Sequence, residues 1–221
     1  MGYRLAPHLS FCRADGQLIF LDTKRDRYFC LRGALDASFE AWLSGIAPDA
    51  RGRANLAGLA AQGVLADKSG PDATPDPCPT PEPARISLYD EARSAGRFPV
   101  LAAYGRFKCA RIAVKAFGLA TSLACVERRK RHSKSAPDAT ARAQLVADAF
   151  HGAARHATTR LHCLPHSIAV AHAMLARGAP ALLVLGVRTR PFGAHAWVQL
   201  GELLINDSLD NVRDFTPIRL V

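Results

Sequence analysis

Apolar and polar positions near the start of the chain alternate with a period of two, which is typical of half-buried strands. Three such runs are present, over residues 4–12, 18–22 and 27–31. Helical periodicity follows in two segments, residues 34–44 and 49–62. Gly63 comes directly after the second segment, where glycine commonly ends a helix. A small meander followed by helices predicts a winged helix-turn-helix-like N-terminal domain.

A proline-rich stretch separates this part of the chain from the rest. Six of the fourteen prolines lie within residues 69–83. Proline removes a backbone donor and biases the preceding residue away from helix, so an extended, semi-rigid linker is expected. We therefore predict an N-terminal domain over residues 1–68, a linker over residues 69–85 and a C-terminal domain over residues 86–221.

Helical periodicity dominates the C-terminal part until the pattern changes near residue 161. Residues 86–160 predict two or three helices. The next amphipathic helix is indicated by apolar residues spaced i, i+4, i+7 and i+11, namely Leu164, Ile168, Ala171 and Leu175. Strand-like runs follow over residues 182–187, 194–200 and 203–207. Helices packed on an antiparallel meander give an α+β domain.

The composition shows a strong positive charge. The chain has 29 Lys and Arg against 19 Asp and Glu, a net charge of +10 over 221 residues. This balance favours an acidic partner, which nucleic acid, an anionic membrane or an acidic peptide would each provide. The basic run at residues 128–132 has no neighbouring aromatic residues to stack on bases, so we interpret it as a solvated helix end.

Neither a membrane span nor a secretory signal is expected. The longest apolar stretch, residues 99–126, is interrupted by the basic residues Arg106, Lys108, Arg111 and Lys115. The N-terminus lacks the apolar segment of a signal peptide, and the six cysteines include no Cys-x-x-Cys pair. These features predict a cytoplasmic protein with reduced thiols and no membrane partner. Since no glycine-rich phosphate loop is present, no cofactor is expected either.

Two residues of the C-terminal domain form a candidate nucleophile and base. Cys163 comes at the start of the amphipathic helix, where the positive end of the helix dipole stabilises a thiolate. His195 lies in a strand-like run and has the chemistry to accept the thiol proton. Taken alone, Cys163 is better explained as a core cysteine, and His195 equally well as a partly buried strand histidine. Only the combination points to catalysis.

The third member of such a triad is open between Asn206 and Asp207. A regular two-residue turn after Leu200 puts Asn206 on the face of His195, whereas a shift of one residue brings Asp207 round. The pattern by itself favours Asn206, as in papain-like triads. Cysteine at a helix start, histidine on a strand and Asn or Asp on the next strand is the papain and transglutaminase-like arrangement.

Motifs around these residues carry a family resemblance. They are LHCLPHS at residues 161–167, PFGAHAWV at residues 191–198 and ND at residues 206–207. This region resembles the lasso peptide biosynthesis B proteins, transglutaminase-like cysteine peptidases that remove the leader of a ribosomally made precursor. The resemblance implies Cys163 as nucleophile, His195 as general base and Asp207 as orienting acid. Choosing Asp207 predicts a one-residue irregularity between Leu200 and Leu204.

Two motifs of the N-terminal domain carry a second resemblance. They are LIFLD at residues 18–22 and DRYFCL at residues 26–31. With the helices that follow, they resemble the RiPP recognition element, a PqqD-like winged helix-turn-helix that binds leader peptides. In that family the leader docks between the third strand and the third helix. The resemblance therefore implies a set of leader-binding residues, namely Arg27, Tyr28, Phe29, Leu56 and Leu59.

Together the two resemblances imply an enzyme of antibiotic biosynthesis. It would be a cysteine endopeptidase that binds the leader of a lasso peptide precursor and cleaves it off. The freed core would pass to a partner, an ATP-dependent macrolactam cyclase of asparagine-synthetase type. The resemblance implies no metal, no nucleic acid and no membrane.

Three other functions stay open. A winged-helix DNA-binding regulator would suit the topology and the charge, although the second helix offers few side chains to read base edges. An acyltransferase of transglutaminase type would use the same triad, because the acceptor decides between transfer and hydrolysis. A zinc site would draw on nearby residues, namely His162, Cys163, His166 and His172, but no acidic residue accompanies them as in H-E-x-x-H.

Overall fold

The computed structural model describes residues 2–68, 74–156 and 162–221. The chain divides into two compact units, Met1–Pro79 and Thr80–Val221. Each unit contains both helices and antiparallel β-pairing among its described residues. The α+β class predicted from the sequence is therefore confirmed.

The N-terminal unit combines two small antiparallel sheets with two helices. Its elements are β1 (Gly2–Leu5), β2 (Leu9–Ala14), β3 (Gln17–Asp22), β4 (Arg27–Cys30), α1 (Ala34–Leu43), α2 (Ala50–Ala61) and β5 (Leu65–Lys68). One sheet has the order β2-β3-β4, and β1 pairs with β5 in the other. The predicted strand at residues 4–12 is thus two strands, because the chain turns at Pro7, which has no N–H for a ladder.

Aromatic rings form the core of this unit. Phe20 stacks on Phe11 with ring centroids 5.6 Å apart, and Phe39 of α1 meets Phe20 edge-on at 5.2 Å. Leu56 and Leu59 of α2 pack into the same cluster and are 1% and 0% exposed. Full burial of each of these side chains contributes about 1.5–3 kcal/mol. Leu56 and Leu59 are thus core residues of this unit, and their contact with a bound peptide stays a prediction.

A buried carboxylate fixes the turn between β3 and β4. Asp22 is 1% exposed, and its Oδ1 accepts the backbone N–H groups of Lys24 and Arg25 at 3.1 and 3.0 Å. Burial raises the pKa of Asp22, but the bonds from Arg25 and the charge of His8 outweigh it and leave that pKa below its usual value. The direction in which β4 leaves the turn depends on this ionised side chain.

The C-terminal unit packs helices on one mixed sheet. Its elements are β6 (Ile86–Ser87), α3 (Arg97–Arg131), α4 (Ala139–Ala154), α5 (Cys163–Leu175), β7 (Leu182–Thr189), β8 (Phe192–Leu200), β9 (Leu203–Leu204), α6 (Leu209–Val212) and β10 (Thr216–Leu220). The sheet has the order β10-β7-β8-β9-β6, and only the β6–β9 pairing is parallel. The α5 helix is buried over most of its length between α3 and the sheet.

The α3 helix is kinked at Gly118, whose φ of 77° interrupts the helical conformation. Its inner side packs against α4 and α5. By length and composition alone α3 is able to cross a membrane, although such a helix is also found in protein cores, and 28% of its most apolar window is buried.

The sheet is larger than the meander predicted from the sequence. The predicted strand over residues 203–207 is confined to β9, and the chain bends over residues 205–207. Both β6 and β10 join the sheet without a strand prediction. A two-residue strand such as β6 has no periodicity to detect, and it pairs with β9 from more than a hundred positions earlier in the chain.

Candidate active site

Cys163 opens α5, the buried helix of the C-terminal unit. Pro165 lies in the first turn, where its missing N–H costs no helical hydrogen bond. Burial raises the pKa of the Cys163 thiol, but hydrogen bonding to His195, the charge of that imidazole and bonds to the backbone at Ala196 and Leu164 bring the pKa below its usual value. The helix start therefore carries a half-buried thiol that ionises more readily than a free one.

His195 stands on β8 opposite Gly186 of β7. Its ring lies 6.2 Å from that of Trp197 and 5.1 Å from that of Phe215, so aromatic rings restrict its rotation. A Cβ at Gly186 would lie 2.8 Å from Cζ3 of Trp197 and 3.0 Å from Cβ of Phe215. Glycine is thus required opposite His195 for these two rings to pack as they do.

The carboxylate of Asp207 is hydrogen-bonded to Nε2 of His195 through Oδ2. Its other oxygen accepts the Ser208 N–H at 2.8 Å and the Asn211 amide at 2.9 Å. Burial lowers the pKa of His195, but bonding to Asp207 and Cys163 outweighs it and raises that pKa to about 9. Burial raises the pKa of Asp207, and the bonds from His195 and Asn211 more than reverse that change. The three groups thus favour a thiolate beside an imidazolium.

The chain reaches Asp207 by a different route from the one predicted. β8 and β9 pair in regular register, with Leu200 opposite Leu203, so the predicted irregularity between Leu200 and Leu204 is wrong. The ladder continues through the Ile205 N–H to the Val198 carbonyl at 2.9 Å. It breaks one residue later, because the bend at residues 205–207 releases the chain from the sheet. That bend turns Asp207 to His195.

A cavity of about 420 Å³ opens around these groups. Its lining is Tyr89, Cys163, His166, His195, Ala196, Asn206, Asp207, Ser208 and Asn211. Sequence reasoning missed three of these residues, Tyr89, Ser208 and Asn211, and named His166 only as a candidate zinc ligand. The i+3 spacing of His166 from Cys163 was a usable signal, because such residues share a helix face. Tyr89 is distant from Cys163 in the sequence, and no local pattern marked it as a site residue.

The segment after β6 supports the cavity from the side of Tyr89. Ser87 donates from its hydroxyl to the Asp207 carbonyl at 2.8 Å and accepts the Asp90 N–H at 3.0 Å. Tyr89 lies within this turn, and its ring packs 4.8 Å from that of His151 on α4. The turn therefore fixes both the backbone of Asp207 and one wall of the cavity.

The N-terminal unit presents a second concave surface along β4. Among the described residues β4 is an edge strand, since its ladder partner is β3. A groove of about 500 Å³ runs beside it, lined by Arg25, Arg27, Phe29, Cys30, Leu31, Arg32, Leu35, Gln62 and Val64. Arg27 and Phe29 of the predicted set belong to this lining, and the Arg27 guanidinium lies 5.5 Å from the Phe29 ring centroid. Tyr28, also on β4, pairs with Leu21 of β3.

The proposed zinc ligands do not gather into a metal site in the described part of the chain. No group of three or more His, Cys, Asp or Glu side chains suited to a metal ion is found there. His166 packs instead against the rings of Phe107 and Phe150, with centroids 6.0 and 5.6 Å away.

Comparison with known proteins places this geometry in a family. The microcin J25-processing protein McjB of Escherichia coli is 46% identical over 52 residues, which is 24% of this chain and 24% of that relative's length. No solved structure matches the chain. The model of the transglutaminase-like superfamily matches residues 107–220, more than half of the chain, and this stretch contains Cys163, His195 and Asp207. The chain therefore belongs to the transglutaminase-like superfamily.

Proposed function

We propose that the chain is a cysteine endopeptidase that removes the leader from a lasso peptide precursor. The observation that carries the proposal is the hydrogen-bonded series Cys163, His195 and Asp207 in an open cavity. A thiol activated by a histidine that a carboxylate orients is the arrangement of nucleophilic acyl chemistry. The processing activity named for McjB supports a peptide substrate.

In the first half-reaction the Cys163 thiolate attacks the carbonyl carbon at the leader–core junction. The backbone N–H of Cys163, at the start of α5, donates to the oxyanion that forms. The His195 imidazolium then gives its proton to the departing amine as the C–N bond breaks. The products are a thioester between the leader and Cys163, and a core peptide with a free N-terminus.

In the second half-reaction water hydrolyses the thioester. Neutral His195 takes a proton from the water as its oxygen attacks the thioester carbonyl, and the C–S bond breaks to return the thiolate. Asp207 holds the imidazole in one orientation and stabilises its positive charge in both half-reactions.

We assign leader capture to the N-terminal unit, as a RiPP recognition element of PqqD-like type. The leader would add as a strand beside β4, the edge strand of its sheet among the described residues, where main-chain hydrogen bonds supply affinity and side-chain pockets supply register. Phe29, Leu31 and Leu35 offer an apolar floor to such a strand. Arg25, Arg27 and Arg32 at the same groove would meet leader carboxylates.

The proline-rich segment at residues 69–85 would act as a tether between capture and cleavage. A tethered leader raises the effective concentration of the scissile bond at Cys163 without further contacts. The released core would pass to a macrolactam cyclase of asparagine-synthetase type, which would use the ATP. We place the reaction in the cytoplasm, where precursor and cyclase are made.

The test incubates the purified chain with the precursor encoded beside it and follows leader release by mass spectrometry. Cys163→Ala should abolish release, whereas Cys125→Ala, a change at an exposed cysteine of α3, should leave it unchanged. Release that survives Cys163→Ala would refute the proposal. A primary amine added to the reaction distinguishes transfer from hydrolysis, because a transferase would join the leader to the amine.

A further inference from the structure

The side chain of Asn206 takes the place of a backbone hydrogen-bond acceptor in the sheet. Its Oδ1 accepts the Val198 N–H at 2.8 Å, immediately after the last regular backbone bond between β8 and the strand that follows. Because a backbone N–H can only donate, the atom facing it must be the amide oxygen, and the orientation of the Asn206 amide is settled. The backbone of residue 206 is thereby freed from the ladder.

The amide nitrogen of Asn206 binds two side chains of α5. It donates to the Ser167 hydroxyl at 2.9 Å, and that hydroxyl donates in turn to the Ala196 carbonyl at 2.7 Å. Its second N–H faces Nδ1 of His166 at 3.3 Å. An accepting Nδ1 requires a neutral ring with its proton on Nε2. Burial lowers the pKa of His166 to about 4, although the charge of Asp207 opposes this, so the ring keeps its neutral form.

The Asn206 amide and the Ser167 hydroxyl therefore have defined partners, whereas Nε2 of His166 is buried without a hydrogen-bond partner among the described residues. The three side chains are deeply buried, at 8% exposure for Asn206, 5% for His166 and 0% for Ser167. Buried networks of this kind hold their geometry, because an unmet polar group in the interior costs about 1–3 kcal/mol. His166 and Ser167 follow Cys163 by one helical turn, so the cluster fastens the bend before Asp207 to the helix that carries the thiol.

We propose that Asn206 is a positioning residue, which with Ser167 and His166 aims the Asp207 carboxylate at His195 and thereby maintains the Cys163 thiolate. The inference rests on the proposed thiol chemistry but not on the identity of the peptide cleaved. Without the Asn206 amide, residues 205–207 could follow the regular pairing, which directs Asp207 to the opposite face. His195 would then lose the negative charge that favours its protonated form.

The test measures the rate of Cys163 alkylation by iodoacetamide as a function of pH. The peptide that contains Cys163 is followed by mass, which separates it from the other cysteines. In Asn206→Ala the midpoint of the profile should rise by about one pH unit, and in Ser167→Ala it should rise by less. Asn55→Ala is the matched control in the N-terminal unit, because the Asn55 amide likewise donates to a serine hydroxyl, that of Ser38, and also to the Ala34 carbonyl.

Other ionisable groups that line the cavity, among the described residues, also affect the alkylation profile. These are Tyr89, His166, His195 and Asp207. Asp207→Asn measures how far the midpoint of the alkylation profile shifts when the carboxylate charge is lost. If Asn206 acts by positioning that carboxylate, Asn206→Ala should add little further shift in the double variant. Far-UV circular dichroism and thermal unfolding establish that each variant is folded at the assay temperature.

Folded Asn206→Ala and Ser167→Ala variants with the parent's alkylation profile would overturn the inference. A merely structural role would lower the unfolding midpoint without moving that profile. Failure of the parent to release a leader, with the profile shifts still present, would count against the proposed function and leave the positioning role supported.

Discussion

The imidazole of His195 is hydrogen-bonded to the Asp207 carboxylate, although the β8–β9 pairing, if it continued to residue 207, would put the two side chains on opposite faces of the sheet. This bond links a histidine with a raised pKa to a cysteine with a lowered one. The bond therefore favours an ion pair, in which the Cys163 thiolate lies beside the His195 imidazolium.

Leader release should follow a bell-shaped pH profile. Activity needs the Cys163 thiolate and the His195 imidazolium together, so it rises as pH passes the lowered thiol pKa and falls as pH passes the His195 pKa of about 9. The measurement is kcat/KM for leader release across the pH range. A profile that keeps rising above pH 9, with no basic limb, would contradict the proton donation assigned to His195.

Asp207→Asn should reduce kcat by about 100- to 10,000-fold while KM for the precursor changes little. The substitution keeps the shape of the side chain and removes its charge, so the pKa of His195 should fall and the basic limb should move to lower pH. Asp210→Asn is the control, because Asp210 is exposed on α6 and pairs with Arg213. Equal losses in the two variants would show that carboxylates of this segment act through stability alone.

Gly186→Ala should lower the free energy of unfolding by about 1–3 kcal/mol. The new methyl group would lie 2.8 Å from the Trp197 ring and 3.0 Å from Phe215, and these are the rings that confine His195. Chemical denaturation measures the loss, and kcat should fall with it. The control is Gly58→Ala in α2, where a Cβ meets nothing within 4 Å, so helix propensity predicts a gain of about 0.5–1 kcal/mol.

Charge reversal at the β4 groove should weaken leader binding. Arg27→Glu and Arg32→Glu each replace an attractive contact with a repulsive one, and exposed pairs contribute about 0–1 kcal/mol, so Kd should rise several-fold per site. Fluorescence anisotropy with a labelled leader measures this, and added salt should shrink the difference. Arg111→Glu, on α3, makes the same charge change at a residue that does not belong to the groove lining. An equal loss of affinity in Arg111→Glu would argue for a nonspecific effect of net charge.

Several elements could be predicted from the sequence because their signals are local. Cys163 at a helix start and His195 on a strand follow from periodicity and from proline placement within a few residues of each position. The α+β class follows from the same periodicities. The spacing of Leu56 and Leu59 shows that they share a helix face but not whether that face meets a ligand or the core, and the structure places both in the core.

Periodicity did not lead to Asp207, which only the family resemblance implied. Strand alternation after a regular turn favours Asn206, and nothing nearby along the chain signals a break in that alternation. The break depends on the Asn206 amide reaching the Ser167 hydroxyl, 39 positions earlier in the chain. The sequence by itself determined which residues could ionise and which elements would carry them. Only the tertiary structure decided that Asp207 faces His195, because a hydrogen bond between distant segments selects a side-chain direction that local periodicity cannot encode.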